Sequence, residues 1–232
     1  MNDNLDILLP VYNEVKSISK LIPEIHNNIN EKINYTIIIC EDGSTDNTLE
    51  VIESFKDKYP IKLITSKNRK GYSIAVLDGI RAATADYLLI MDSDGQSNPK
   101  EIINFWKNRK KANLINGNRI IRKDYMYRKF YSKFAFFIYR LLFSIPLKDP
   151  SYAYLIMEKK VFLSLNNFKP LMPDGFFWEF NARAKKLGLT FYNLDVTHNN
   201  RYYGETKIYH WLKLPLVSYN NFIGMIKIKF LD

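Results

Sequence analysis

The sequence predicts an α/β fold with a mostly parallel central sheet flanked by helices. Two observations predict it. Short apolar runs, "LDILLPV", "YTIIIC", "IKLIT", "YLLIM" and "ANLING", alternate with segments of helical spacing. Strands that are apolar throughout are buried on both faces, as parallel strands are. The polar clusters also fall in register with the strands: "YNE" follows the first, "EDGSTD" the second, "SKNRKG" the third and "DSDGQ" the fourth. Ligands bind at the carboxyl ends of strands in such sheets.

The elements follow in order. After "LDILLPV", the spacing of Val15, Ile18, Leu21, Ile22, Ile25 and Ile29 predicts a helix over about 15–30. "YTIIIC" is β-branched and reads as a strand. Thr45 or Asp46 is expected to cap a helix reaching about Lys58. "IKLIT" is a strand, and a helix is expected over about 71–84. After "YLLIM", Ser97 or Asn98 caps a helix that has Pro99 at its first position. "ANLING" is a strand. The second half is less regular. Residues about 125–143 and "FFWEFNARAKKLG" read as helices, "LTFYNLDV" as a strand, and the tail from Ile208 mixes Trp, Leu, Phe and Lys.

The chain has 232 residues, enough for one sizeable core, and 47% of them are hydrophobic. Cys40 is its one cysteine, so no intramolecular disulfide forms and a reducing compartment is expected. The N-terminus has no basic segment before an apolar run, so no secretory leader is expected. Nowhere do about 18 uncharged apolar residues stand in a row, so no spanning helix is expected. The net charge of +10 is uneven: residues 1–116 hold 15 Lys/Arg and 16 Asp/Glu, and residues 117–232 hold 19 and 8. The basic, aromatic second half suits an anionic partner such as a membrane surface or phosphates. Nucleic acid would explain the charge but not carboxylates at strand ends, which repel phosphate.

In "MDSDGQ", Asp92 and Asp94 stand two apart just past a strand, where both can turn toward one hard divalent cation, and Gln96 adds a neutral oxygen. Oxygen ligands with open positions suit Mg²⁺ or Mn²⁺ held together with a diphosphate. A solvated turn is the competing reading of the same residues. A calcium loop starting at Asp92 needs an acid at its twelfth position, where Ile103 stands. In "EDGSTD", Glu41 or Asp42 can accept hydrogen bonds from a base or ribose. Lys67, Arg69 and Lys70, with Gly71 at a helix start, favour a phosphate.

Taken in order, "LLPVYNE", "EDGSTDNT", "NRKGYSIAVLDGI" and "MDSDGQSNP" resemble family 2 glycosyltransferases with the nucleotide-binding GT-A fold. "GNRIIRKD", "LKDPSYAY", "WEFNARAKKLG" and "RYYGETK" are similar to segments of the dolichyl-phosphate or polyprenyl-phosphate mannose and glucose synthase branch. The resemblance covers roughly Ile7 to Lys207. It implies that Pro10, Tyr12, Glu14 and Asp42 or Glu41 hold the base and ribose of a GDP- or UDP-sugar, with Lys70 and Gly71 beside them. It implies that Asp92, Asp94 and Gln96 hold the metal. It places phosphates of donor or acceptor on Arg119, Arg122, Arg201 and Lys207, the last in a loop that closes over the site. Asp94, Arg119, Arg201 and Asp149 form the candidate catalytic set. The sequence departs from the pattern at Leu155, where the family has Arg, at Thr206 for Ser, and at Glu41 for Asp.

Family members that glycosylate a sugar hydroxyl resemble one another in an acidic pair before the Arg-containing helix. Phe176 and Phe177 stand there in this sequence. A lipid phosphate is already an anion and needs no general base. Asp149, Asp174 and Glu179 are the candidate bases for a hydroxyl acceptor, and Glu179 also stands four residues before Arg183, the spacing of an ion pair. "YMYRKFYSKFAFFIYRLLF" combines Phe and Leu with Arg128, Lys129, Lys133 and Arg140, and reads either as an interfacial amphipathic helix or as a core helix with a basic edge. Together these features lead to one domain, with residues 1–116 for the nucleotide sugar and 117–232 for acceptor and membrane. The expected function is metal-dependent, inverting sugar transfer from a nucleotide sugar to a polyprenyl phosphate. Its expected place is cytoplasmic, attached to the inner face of the membrane. Transfer to a sugar hydroxyl in cell-surface polysaccharide, and a non-catalytic nucleotide-binding module, are the other function classes the sequence leaves open.

Overall fold

The computed structural model describes residues 3–120, 126–165, 168–203 and 214–231, without the side chains of 126–132, 134 and 214. Seven strands form one sheet: β1 Leu5–Val11, β2 Tyr35–Glu41, β3 Ile61–Thr65, β4 Tyr87–Met91, β5 Leu114–Arg119, β6 Tyr154–Glu158 and β7 Phe191–Val196. Their order is β3-β2-β1-β4-β6-β5-β7. β6 is antiparallel to both its neighbours, and the other pairings are parallel. The carboxyl ends of six strands and the start of β6 therefore share one edge.

The helices are α1 Val15–Ile29, α2 Thr48–Ser54, α3 Tyr72–Ala82, α4 Ile102–Asn108, α5 Met126–Phe143, α6 Lys159–Leu163, α7 Phe176–Lys186 and α8 Leu214–Phe230. Alternate residues of β1 enter opposite layers, as a two-residue strand period requires. Ile7 and Leu9 pack with Ile18, Leu21, Ile22 and Ile25 of α1. Leu8 packs with Val76, Leu77 and Ile80 of α3 and Phe176, Phe177 and Phe180 of α7. Each fully buried Leu, Ile or Phe contributes about 1.5–3 kcal/mol. A third cluster joins Tyr139 and Phe143 of α5, Trp178 and Ala182 of α7, and Met225 and Ile228 of α8. The Tyr139 hydroxyl donates to the Trp178 carbonyl at 2.8 Å.

Most expected elements occur as read. α2 is shorter than expected and begins at Thr48. Asp46 nevertheless fills a capping role, since its Oδ1 accepts the Thr48 amide at 3.1 Å. Pro99 opens a 3-10 turn, Pro99–Glu101, rather than α4 itself. Asn98, not Ser97, caps it, accepting the Lys100 amide at 3.1 Å. β6 and α6 were not expected. Leu155, where the family has Arg, is fully buried on β6 beside Ile90. α8 is apolar on both sides: Val217, Met225 and Ile228 are buried, while Leu216, Tyr219, Phe222 and Phe230 are exposed. No described helix is long and apolar enough to cross a membrane.

Candidate active site

The site lies along the shared strand edge. At the end of β4 the Ser93 hydroxyl donates to the Pro10 carbonyl of β1 at 2.8 Å. That buried bond turns Ser93 inward and leaves Asp92 and Asp94, on either side of it, in the site. Gly95 follows with φ +82°, and a Cβ there would lie 2.3 Å from the Tyr202 ring. Glycine is required at this corner for both reasons.

Asp92 accepts the Tyr72 hydroxyl on Oδ1 at 2.7 Å. Burial and the neighbouring Asp94 push its carboxyl up to about 7, against the Tyr72 bond and the charges of Arg119 and Arg201. Burial also raises Asp94, with Arg201 opposing. Asp94 accepts Arg201 at 3.2 Å on Oδ2 and the Gln96 amide at 3.0 Å on Oδ1. The same Arg201 guanidinium reaches Glu14 with its other terminal nitrogen, and its Nε donates to the Tyr203 carbonyl at 2.8 Å. Gln96 makes its contacts through the main chain, its carbonyl accepting the Asn199 amide at 2.9 Å.

Arg119, at the end of β5, forms a two-pronged pair with Asp149, Nε to Oδ2 at 2.6 Å and a terminal nitrogen to Oδ1 at 3.0 Å. Its guanidinium lies 4.6 Å over the Tyr152 ring. Among the described residues, the charge of ionised Glu14, Asp92, Asp94 and Asp149 exceeds that of the Arg119 and Arg201 guanidinium groups by two. Two half-buried carboxylates driven toward protonation fit a hard divalent cation, which relieves what desolvation opposes. Among the described residues no three His, Cys, Asp or Glu side chains converge, so Asp92 and Asp94 are the candidate ligands.

The loops after β2 and β3 are tightly braced. Asp42 accepts the Lys70 amide at 2.7 Å on one oxygen and the Gly71 amide at 2.9 Å on the other. Glu41 accepts the Ser44 amide. Asn13, at φ +52°, donates its amide to Ser44 Oγ at 2.9 Å and accepts the Thr45 amide at 2.7 Å. The acids of "ED" thus hold the loops that follow β2 and β3 through their main-chain amides. The Lys70 ammonium pairs with Asp78, and the Arg69 guanidinium covers the Tyr12 ring at 4.2 Å. Glu179 accepts the Leu171 and Met172 amides at 2.7 and 2.9 Å and pairs with Arg183 at 2.9 Å, which makes it a brace for the 171–172 turn. Arg122, Thr206 and Lys207 lie outside the described residues.

Sequence reasoning missed Tyr72, Tyr152, His198 and Tyr202. His198 is buried, bridges to Ser97 and sets its ring edge-on to Tyr152 at 5.8 Å. Tyr202 packs on Gly95 beneath Lys20, 4.1 Å from its ring centre, and its hydroxyl reaches Glu24. The doubled Tyr of "RYYGETK" was the one local signal.

The profile of the family described as "Glycosyl transferase family 2" matches residues 6–165. The chain belongs to this family. Curated relatives include a dolichol-phosphate mannosyltransferase of Pyrococcus furiosus, 31% identical over 68% of this chain and 47% of its own. A dolichyl-phosphate beta-glucosyltransferase of Dictyostelium discoideum is 32% identical over 43% of this chain and 33% of its own. An undecaprenyl-phosphate 4-deoxy-4-formamido-L-arabinose transferase of Proteus mirabilis is 24% identical over 94% and 66%. The chain therefore spans between a third and two thirds of the length of these relatives. Among solved structures, glucosyl-3-phosphoglycerate synthase of Mycobacterium tuberculosis, in complex with Mn²⁺, UDP-glucose and phosphoglyceric acid, superposes with a TM-score of 0.71. Its identity is 16%, over 97% of this chain and 79% of that one. A mannosyltransferase of Pyrobaculum calidifontis in complex with GDP-Man and Mn²⁺ gives 0.64 at 14% identity, over 87% and 57%. These likenesses establish the GT-A type of family 2 fold.

Proposed function

We propose that this single glycosyltransferase domain moves a sugar, with inversion, from a nucleoside diphosphate sugar to a polyprenyl phosphate. The observation that carries the reading is the half-buried Asp92–Asp94 pair at the carboxyl end of β4, with the excess negative charge around it among the described residues. Asp92 and Asp94 would hold Mg²⁺ or Mn²⁺, with Gln96 beside them. When bound, such a cation stabilises charge on the departing diphosphate. Arg119 and Arg201 would hold phosphate oxygens, and Tyr12, Glu14 and the Glu41–Asp42 corner would hold the GDP or UDP. The acceptor's phosphate oxygen forms the new bond to the anomeric carbon as the bond to the diphosphate oxygen breaks. The electron pair leaves with the diphosphate and no proton has to move.

Three observations support a phosphate acceptor over a hydroxyl. Phe176 and Phe177 are buried in the core where hydroxyl-glycosylating relatives resemble one another in an acidic pair. Asp149 and Glu179 are committed to Arg119 and Arg183. The three curated relatives all carry a polyprenyl phosphate in their names. A peripheral, cytoplasmic-face membrane site fits the outer surface: Phe137 and Leu141 of α5 are 66% and 75% exposed, near exposed Lys133 and Arg140.

The test is incubation with Mn²⁺ or Mg²⁺, labelled GDP- and UDP-sugars and a short polyprenyl phosphate. A lipid-linked labelled product is expected. Transfer only to a glycan hydroxyl would replace the acceptor, and donor binding without any transfer would favour a nucleotide-binding module.

A further inference from the structure

The corner that opens α3 is fixed from two sides. Asp42 holds the amides of Lys70 and Gly71 at 2.7 and 2.9 Å. The Ser73 hydroxyl faces the carbonyls of Met172 and Pro173 at 3.2 and 2.7 Å, on the turn that Glu179 braces. Between these anchors, the Tyr72 ring meets Phe177 of α7 edge-on, centroids 6.3 Å apart. Its hydroxyl crosses to the end of β4 and donates to Asp92 Oδ1 at 2.7 Å. A donor–carboxylate bond of this length is charge-assisted and about twice as strong as a neutral one. Among the described residues, no other hydrogen bond reaches the Asp92 carboxylate. Asp94, by contrast, is held by Arg201 and by the Gln96 amide. Asp92 thus depends on a single oriented donor for its rotamer.

We propose that Tyr72 is a positioning residue for the cation site. Its hydroxyl fixes one oxygen of Asp92 so that the other faces Asp94, and its ring ties that orientation to α7. The inference rests on Asp92 and Asp94 being the cation ligands. Outer partners of ligating carboxylates change metal affinity about 10- to 100-fold when removed.

The experiment is a titration of the purified chain with Mn²⁺ alone, read by the loss of the free-ion electron paramagnetic resonance signal. Wild type, Tyr72→Phe and Asp92→Asn are compared. Tyr72→Phe keeps the ring against Phe177 but loses one charge-assisted bond, so its melting temperature should fall by about 3–12 °C while the chain stays folded at the titration temperature. Its Mn²⁺ dissociation constant should rise about tenfold, and raising Mn²⁺ should restore turnover. Asp92→Asn should lose Mn²⁺ binding. Wild-type Mn²⁺ affinity in Tyr72→Phe, with binding lost in Asp92→Asn, would overturn the role of Tyr72. Unchanged binding in both variants would overturn the cation assignment itself, and Tyr72 with it.

Discussion

Replacing Asp149 by Asn tests whether this acid braces Arg119 or abstracts a proton. Both side chains are largely buried, 10% exposed for Arg119 and 8% for Asp149, and they share two hydrogen bonds at 2.6 and 3.0 Å. Breaking a buried pair from one side costs about 3–5 kcal/mol, because the surviving charge stays buried. The Asn oxygen can still accept one bond, and the Tyr152 face still covers the guanidinium at 4.6 Å, so the lower end, about 3 kcal/mol, applies. For a chain of this size that is a fall of about 6–12 °C in melting temperature. Calorimetry or urea unfolding reads it directly. Replacing both residues by leucine should recover most of the loss, since the double variant buries no lone charge. Melting within about 1 °C of wild type in Asp149→Asn would refute the brace, and an activity loss with unchanged stability would return Asp149 to the role of base.

Asp94→Ala should abolish metal-dependent donor turnover while the far-ultraviolet circular dichroism stays native; full activity would remove Asp94 from the seat. Burial holds the Asp92 carboxyl up to about 7 in the metal-free chain, and a cation needs the ionised form. Mn²⁺ affinity should therefore be highest above pH 7 and fall up to about tenfold per unit below it, in titrations at pH 6 and 8. Affinity independent of pH would contradict this. Gly95→Ala places a methyl 2.3 Å from the Tyr202 ring at φ +82°, and should destabilise the chain by at least about 1–2 kcal/mol, seen as a lowered melting temperature. Flotation with anionic vesicles at low salt, weakened by Leu141→Glu, would support the interfacial face of α5; no flotation of wild type would count against it.

The fold was legible where local pattern and burial agree. β1, β2 and β4 are apolar, nearly fully buried runs bounded by polar turns, β3 and β7 are partly exposed edge strands of mixed composition, and α1 carries its buried residues at helical spacing. β6 escaped because nothing local marks it. "YLIME" runs into "KKVFL" with no breaker between them, and its insertion between β4 and β5 is a pairing of distant segments. That insertion nevertheless decides the site. It turns the chain so that Asp149 and Tyr152 arrive at the same edge as the carboxyl ends of the parallel strands. α2 was over-read because its cap residues stand in a loop that Asn13 and Glu41 hold through backbone amides.

The site was legible as a set of residues but not as a set of partnerships. Strand-end position and residue type pointed to Asp92 and Asp94, and the resemblance to family 2 glycosyltransferases pointed to Arg119 and Arg201. Pairing joins residues far apart: Arg201 to Asp94 across 107 positions and Arg119 to Asp149 across 30. Glu179 shows the difference most clearly. Its spacing to Arg183 announced an ion pair, but not that its other oxygen takes two amides of the 171–172 turn. A carboxylate holding two amides and a guanidinium is stabilised as an anion by all three, even as burial pushes its carboxyl up. Such a group shapes a wall, with both its oxygens already engaged. The same turn receives Ser73, the neighbour of Tyr72, so the brace built on α7 reaches the Asp92 carboxylate through two adjacent residues of α3. A nucleophile that arrives already ionised is what a site of this construction can use.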